Sequence, residues 1–206
     1  TMVNPQANPP HAGREEDRFL HIDRISKRFN QVEALSEVSM RVPAGRFTTL
    51  VGPSGAGKTT LIRILAGLLP ADKGMICLDG RDLSRWPPQS RRMAVVSSRP
   101  NLFSSMTVRG NLEFAARLGR REGAGQVDIV ELARLAGVAE YLDRYPDQLS
   151  DGQKQRVTVI RAVANRPAAL LLDDPFNNLD PVTRLNLRTQ LAPLLHELNI
   201  PILFVT

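Results

Sequence analysis

Gly52-Pro53-Ser54-Gly55-Ala56-Gly57-Lys58-Thr59 decides how the rest of the chain is read. The stretch fits the pattern Gly-x-x-x-x-Gly-Lys-Ser/Thr at every fixed position, a loop whose converging backbone N–H groups hold nucleotide phosphates. Its glycines allow the tight turn because, lacking Cβ, they enter left-handed backbone without a clash. Upstream, Phe47-Thr48-Thr49-Leu50-Val51 reads as a short buried strand. Downstream, Thr60 to Leu68 reads as a helix with Leu61, Ile64, Leu65 and Leu68 on one face. Strand, loop and helix start, in that order, suit an anion, since the first helical turn offers unpaired N–H donors and a favourable dipole. Lys58 is expected to reach the β- and γ-phosphates of ATP or GTP. The Thr59 hydroxyl is expected to ligate Mg2+, with Thr60 in the same turn.

A chain of 206 residues accommodates one α/β domain with a small insert and no second large domain. The 27 Lys and Arg against 21 Asp and Glu give a formal charge of +6, too modest a surplus to name a partner. Some of it is local: Arg81, Arg85, Arg91, Arg92 and Arg99 face a single acid, Asp82, in that span. The cluster fits either a phosphate or acidic-partner surface or an ordinary solvated face. The single cysteine, Cys77, lies in the apolar run Met75–Leu78, where a buried inert thiol is expected. An intrachain disulfide is excluded, and a reducing compartment fits. Residues 1–18 are broken by Pro5, Pro9, Pro10 and His11-Ala12-Gly13, so they read as disordered rather than as a signal peptide or anchor. No run of 18 apolar residues occurs, so any membrane role must come through a partner.

Residues 19–50 alternate in short runs that predict a small antiparallel sheet beside the loop, with Pro43-Ala44-Gly45-Arg46 turning into the loop strand. Strands are expected at Met75–Leu78 and Met93–Val96, with a tight turn at Asp79-Gly80. From Thr107 to Ser150 the period becomes helical: Val108, Leu112, Ala115 and Leu118 share one face, and Val127 through Ala136 form a second helix ending at Gly137. Gly119–Gln126 links the two, and this helical insert, residues 107–150, is the natural docking surface for a partner. Residues 151–206 return to α/β, with a helix over Gln153–Asn165, a strand at Ala169–Leu172, a helix over Pro181–Leu198 and a strand at Pro201–Val205. Parallel strands joined by crossover helices follow from this order. The expected class is therefore an α/β phosphate-loop nucleotide hydrolase with a small antiparallel β subdomain and a helical insert, the domain covering residues 19–206.

Leu170-Leu171-Leu172-Asp173-Asp174-Pro175 is an apolar strand ending in two acids. Carboxylates at the carboxyl end of a buried parallel strand lie at the crevice where such sheets bind ligands. Asp173 is expected to hold Mg2+, directly or through water, and Asp174 to orient or polarise an attacking water.

Leu149-Ser150-Asp151-Gly152-Gln153, followed by Lys154-Gln155-Arg156, resembles the signature sequence of ATP-binding cassette (ABC) transporter ATPase subunits, and the likeness extends over nearly all of residues 19–206. Read by itself, the segment also fits a plain capped helix with Ser150 as its cap. The resemblance implies a head-to-tail dimer, a homodimer or a paired cassette subunit, in which Ser150, Gly152 and Gln153 of one chain cover the ATP of the other. It implies that Asp180 is the acid of the loop crossing between the two sites. It also implies that Phe29 stacks on adenine, although a Phe in an alternating segment fits a core position as well. The activity implied is a Mg2+-dependent ATPase of importer type at the cytoplasmic face of the membrane. Its helical insert would dock on separate transmembrane permease subunits moving small solutes such as oxyanions, sugars or polyamines.

Four positions depart from that family's pattern. Where a glutamine contacting Mg2+ and water is expected stands Ser98, whose short hydroxyl needs a bridging water. Where a glutamate is expected stands Asp174, and a misplacement near 1 Å costs on the order of 100-fold in rate. Where the first signature glycine is expected stands Asp151. Its carboxylate costs roughly 3 kcal/mol if about 6 Å from a phosphate charge, and little if it faces solvent or caps the helix. Finally, the family's switch histidine would follow Thr206, where the sequence stops, as in a fragment of a longer chain or a shortened natural one. These departures predict nucleotide binding with impaired hydrolysis. Alternatives are a non-hydrolysing regulatory or structural nucleotide-binding protein and, less well matched with one cassette in place of two, a nucleic-acid-associated cassette.

Overall fold

Alternating apolar residues fold the first part of the chain into a hairpin. β1 (Phe19–Phe29) and β2 (Val32–Pro43) pair antiparallel, with Leu20, Ile22 and Ile25 turned into the core. The computed structural model describes residues 18–119 and 125–206. The expectation for residues 1–18, apart from Arg18, and most of the Gly119–Gln126 linker lie outside the described residues. β4 (Lys73–Leu78) pairs with the other side of β1, and β5 (Arg81–Asp82) folds back on β4 across Asp79-Gly80, giving the order β2-β1-β4-β5.

The second sheet is parallel. β3 (Phe47–Leu50), β8 (Ile202–Val205), β7 (Ala169–Asp173) and β6 (Met93–Ser97) lie in the order β3-β8-β7-β6. β7 is apolar on both faces because both are covered. Ala169 and Leu171 pack with α1 (Lys58–Leu65) and the antiparallel sheet, whereas Leu170 and Leu172 pack with the helices of the opposite layer. That layer comprises α3 (Val108–Leu118), α4 (Ile129–Leu135), α5 (Asp151–Ala164) and α6 (Pro181–Glu197), and a short α2 (Pro88–Arg91) precedes β6. Thr107 and Asp128 cap α3 and α4 by accepting from backbone N–H groups of the first turn.

Four expectations are corrected. Leu68 does not extend the packed face of the loop helix, because α1 ends at Leu65 and Leu68 is 64% exposed. Phe47–Val51 is not a buried strand: β3 is an edge, paired on one side by β8, with Phe47 39% and Val51 74% exposed. Cys77 is half-buried, because Ile76 and Leu78 take the inward positions of β4 and a strand alternates faces. Arg91 belongs to no surface cluster. It is 5% exposed and donates to four carbonyls, Ile64 O, Leu65 O, Ser84 O and Trp86 O, at 2.7–3.0 Å. Two of these are the last carbonyls of α1, so one guanidinium ties the loop helix to the β5–α2 connection. Gly67 turns beside it at φ 77°, and a Cβ there would stand 2.7 Å from Arg91 Nε.

Arg91→Met would remove a donor from all four carbonyls, leaving Ile64 O only its bond from Gly67 N, and is expected to lower unfolding stability by about 3 kcal/mol in a urea titration. Its exposed neighbour provides the control, Arg92→Met staying within about 0.5 kcal/mol.

Candidate functional site

The parallel sheet sets the site through its register. Leu50 pairs with Val205, Val205 with Asp173, and Asp173 with Ser97, so the last residues of four strands form one row. The next residues of each strand therefore emerge together at the carboxyl edge. They are the Val51-Gly52 entry of the loop, Thr206, Asp174 and Ser98, in the crevice where open parallel sheets bind ligands.

Within the loop, Gly55 and Gly57 adopt φ 84° and 82°. Gly57 is the N-cap of α1 and has no side-chain cap, so the first-turn N–H groups of the helix are left to another acceptor. A Cβ on Gly57 would lie 2.3 Å from Ala34 O, so the start of β2 presses on the loop there and only glycine fits. A Cβ on Gly55 would meet nothing within 4 Å, leaving open space beside the turn. Lys58 spans the loop, its Nζ donating to Gly52 O at 2.6 Å and Pro53 O at 2.9 Å. Pro53, Ser54 and Ala56 are exposed along the same turn, and Thr60 follows in the first turn of α1.

Thr59 Oγ1 donates to Asp173 Oδ1 at 3.0 Å, joining the loop to the acid strand across 114 residues of sequence. A hydroxyl and a carboxylate oxygen are the hard donors that Mg2+ prefers. Among the described residues no cluster of three or more His, Cys, Asp and Glu forms a self-sufficient metal site. Asp174 follows in left-handed backbone at φ 47°. Its N–H donates to Val205 O at 2.8 Å, and the Thr206 hydroxyl lies 3.5 Å from its Oδ1. Ser98 is half-buried, and its carbonyl accepts from Asn178 Nδ2 at 3.1 Å.

Farther along, Ser150 caps α5 in a reciprocal box. Its Oγ accepts from Gln153 N at 3.3 Å while Gln153 Oε1 accepts from Ser150 N at 2.8 Å. Asp151 is 81% exposed in the single chain, its carboxylate 3.7 Å from Lys154 Nζ. Gly152 is where α5 meets α6, since a Cβ would come 2.9 Å from Thr183 Cγ2. Asp180 caps α6, accepting from Val182 N and Thr183 N. Phe29 ends β1, 44% exposed, with Lys27 Nζ 5.7 Å from its ring centre, at the hairpin end nearest the loop.

Sequence reasoning missed Thr206, Gln155 and Asn178. Gln155 was legible in principle: with Val159 and Val163 it shares the buried face of α5 at spacing four, a polar residue where an apolar one is expected.

Residues 35–177 match the ABC transporter family model. The chain belongs to the ABC transporter family. It is 43% identical over 191 residues to the spermidine/putrescine import ATP-binding protein PotA of Chromobacterium violaceum, covering 91% of this chain and 52% of that protein. It is 41% identical over 192 residues to the sulfate/thiosulfate import ATP-binding protein CysA of Pseudomonas aeruginosa, covering 91% of this chain and 58% of that one. This ABC chain thus spans about half the length of the curated relatives it matches. The fold matches a crystallised ATP-binding cassette of an ABC transporter in its ADP conformation, with TM-score 0.78 at 23% identity, covering 91% of this chain and 80% of that one. A nucleotide-free cassette matches with TM-score 0.75 at 24% identity, covering 91% and 81%.

The hydrogen bond from Thr183 and the backbone N–H groups of α6 hold the Asp180 carboxyl below its ordinary value of 3.8. A carboxyl lowered on folding contributes stability above its unfolded pKa and loses it as pH falls through the folded one. Thermal melts are therefore expected to place Asp180→Ala below the parent chain at pH 7, with the gap closing as pH drops beneath about 3.8.

Proposed function

We propose that this chain is the ATP-binding part of an ABC importer subunit that couples Mg2+-ATP to the entry of a small solute through separate membrane subunits. The observation that carries the reading is the single row at the sheet edge, which gathers Gly52, Ser98, Asp174 and Thr206 beside the Thr59–Asp173 pair. The loop N–H groups and Lys58 bind the phosphates, and Phe29 covers the adenine. Thr59 and Asp173, with Ser98 through water, hold Mg2+, which would neutralise charge on the β- and γ-phosphates. Asp174 orients the attacking water, with the Thr206 hydroxyl beside it.

A second cassette, identical or paired, supplies Ser150, Gly152 and Gln153 over the nucleotide, and its Asp180 crosses between the sites. The solute class, small charged molecules, rests on the import proteins PotA and CysA, which it resembles. Docking on the permease is assigned to the helical insert, residues 107–150, where Phe114 and Leu118 line a cleft of about 250 Å³ together with Phe103 and Arg161 from outside it. Among the described residues no helix is long and apolar enough to cross a membrane.

Binding outlasts catalysis in this chain. Ser98 and Asp174 each fall short of the reach that positions water, and positioning errors of this size reduce rate steeply. Steady-state turnover of Mg2+-ATP is expected at least ~100-fold below that of a cassette with glutamine and glutamate at the two positions. Ser98→Gln with Asp174→Glu raises it, and Lys58→Ala removes what remains. Ordinary turnover in the parent chain would contradict impaired hydrolysis, and failure to bind ATP would contradict the function itself. An ATP-driven dimer that never turns over would favour a regulatory nucleotide-binding role instead.

A further inference from the structure

The loop between β6 and α3 carries Ser98, and side chains bond several of its backbone polar groups. Its distal part is held in an ordinary structural way. Asn111, fully buried, accepts from Phe103 N and donates to the carbonyls of Phe103, Met106 and Thr107, while Arg161 donates to Asn101 O at 2.9 Å and Asn101 Oδ1 at 2.6 Å.

The proximal part is different. Gln155 Nε2 donates to Ser97 O at 2.8 Å, and Asn178 Nδ2 donates to Ser98 O at 3.1 Å. These two carbonyls flank Ser98, one on each side of its Cα. The donors come from separate places, Gln155 from the helix behind the Ser150 turn and Asn178 from the segment following Asp174.

We propose that Gln155 and Asn178 are positioning residues for Ser98, a clamp that fixes the backbone from which its short side chain reaches the metal-bound water; the proposal rests on the nucleotide-binding role argued above. A glutamine has three rotatable bonds and reaches a target from a slack loop. Serine has one, so its hydroxyl takes three staggered positions about a Cα that must itself be held. The substitution at position 98 therefore moves the burden of placement from side chain to backbone, and the two amides carry it. Gln155 supports this further: it is 1% exposed, and its Oε1 has no hydrogen-bond partner among the described residues. An amide buried with one end unpaired is a costly occupant for a position a Leu or Met fills, and the bond to Ser97 O is what it supplies.

The test is a double-mutant cycle read by calorimetry of ATP binding with Mg2+ and with EDTA, on the whole chain. The readout is the factor by which Mg2+ tightens binding. Asn178→Ala and Gln155→Met are each expected to shrink that factor by about 3- to 10-fold, the loss of one hydrogen bond, with EDTA affinity unchanged. Ser98→Ala is expected to shrink it alike, and neither clamp variant to lower it further in the Ser98→Ala background. Ser98→Gln is expected to restore it in the Asn178→Ala background, because a long side chain tolerates a loose loop. Asn178 is exposed, so its variant folds even if Gln155→Met does not. Losses that add to Ser98→Ala, or fall equally on the EDTA affinity, overturn the clamp. So does a Mg2+ gain indifferent to Ser98→Ala. A parent chain that binds no ATP overturns the function and the clamp together.

Discussion

Parallel pairing of β7 between β6 and β8 is the constraint from which the site follows. Hydrogen-bonded register places Asp173 opposite Ser97 on one side and Val205 on the other, and Val205 opposite Leu50 beyond it. A one-residue slip of β7 would move Leu170 and Leu172 from one core to the other and carry Asp173 away from Thr59. Both cores oppose the slip, since β7 is buried on both faces. Core packing and site geometry are therefore enforced by the same strand, and the 3.0 Å bond from Thr59 to Asp173 is the point where they meet.

Much of this was legible because it is local. The phosphate loop, the acids ending an apolar strand and the change of period after Thr107 each depend on a few adjacent residues, and the elements fall within a few residues of where the pattern puts them. What was not legible is non-local. That Phe47 stands on an edge depends on which strands are absent from one side of β3 among the described residues, and no periodicity within Phe47–Val51 records that. Arg91 looked like one of five arginines on a surface because its partners, Ile64 and Leu65, are 27 and 26 residues away.

Two of the departures from the family's pattern share one physical theme, reach. Ser98 and Asp174 are shorter than the residues the pattern expects, whereas the phosphate-binding loop keeps every fixed position. Binding uses many convergent N–H donors and tolerates small displacements, but orienting a water in a transition state does not. Around both short residues the backbone is unusually constrained: Asp174 sits at φ 47° with its N–H tied to Val205, and Ser98 lies between two side-chain amides.

The central claim is that Thr59 and Asp173 form the metal end of a nucleotide site. Titration of Mn2+ as a paramagnetic stand-in for Mg2+, with ATP present, tests it most directly. The account predicts a single bound ion whose affinity falls by at least about 10-fold in Thr59→Val, while ATP still binds in EDTA. Unchanged Mn2+ affinity in that variant would contradict it.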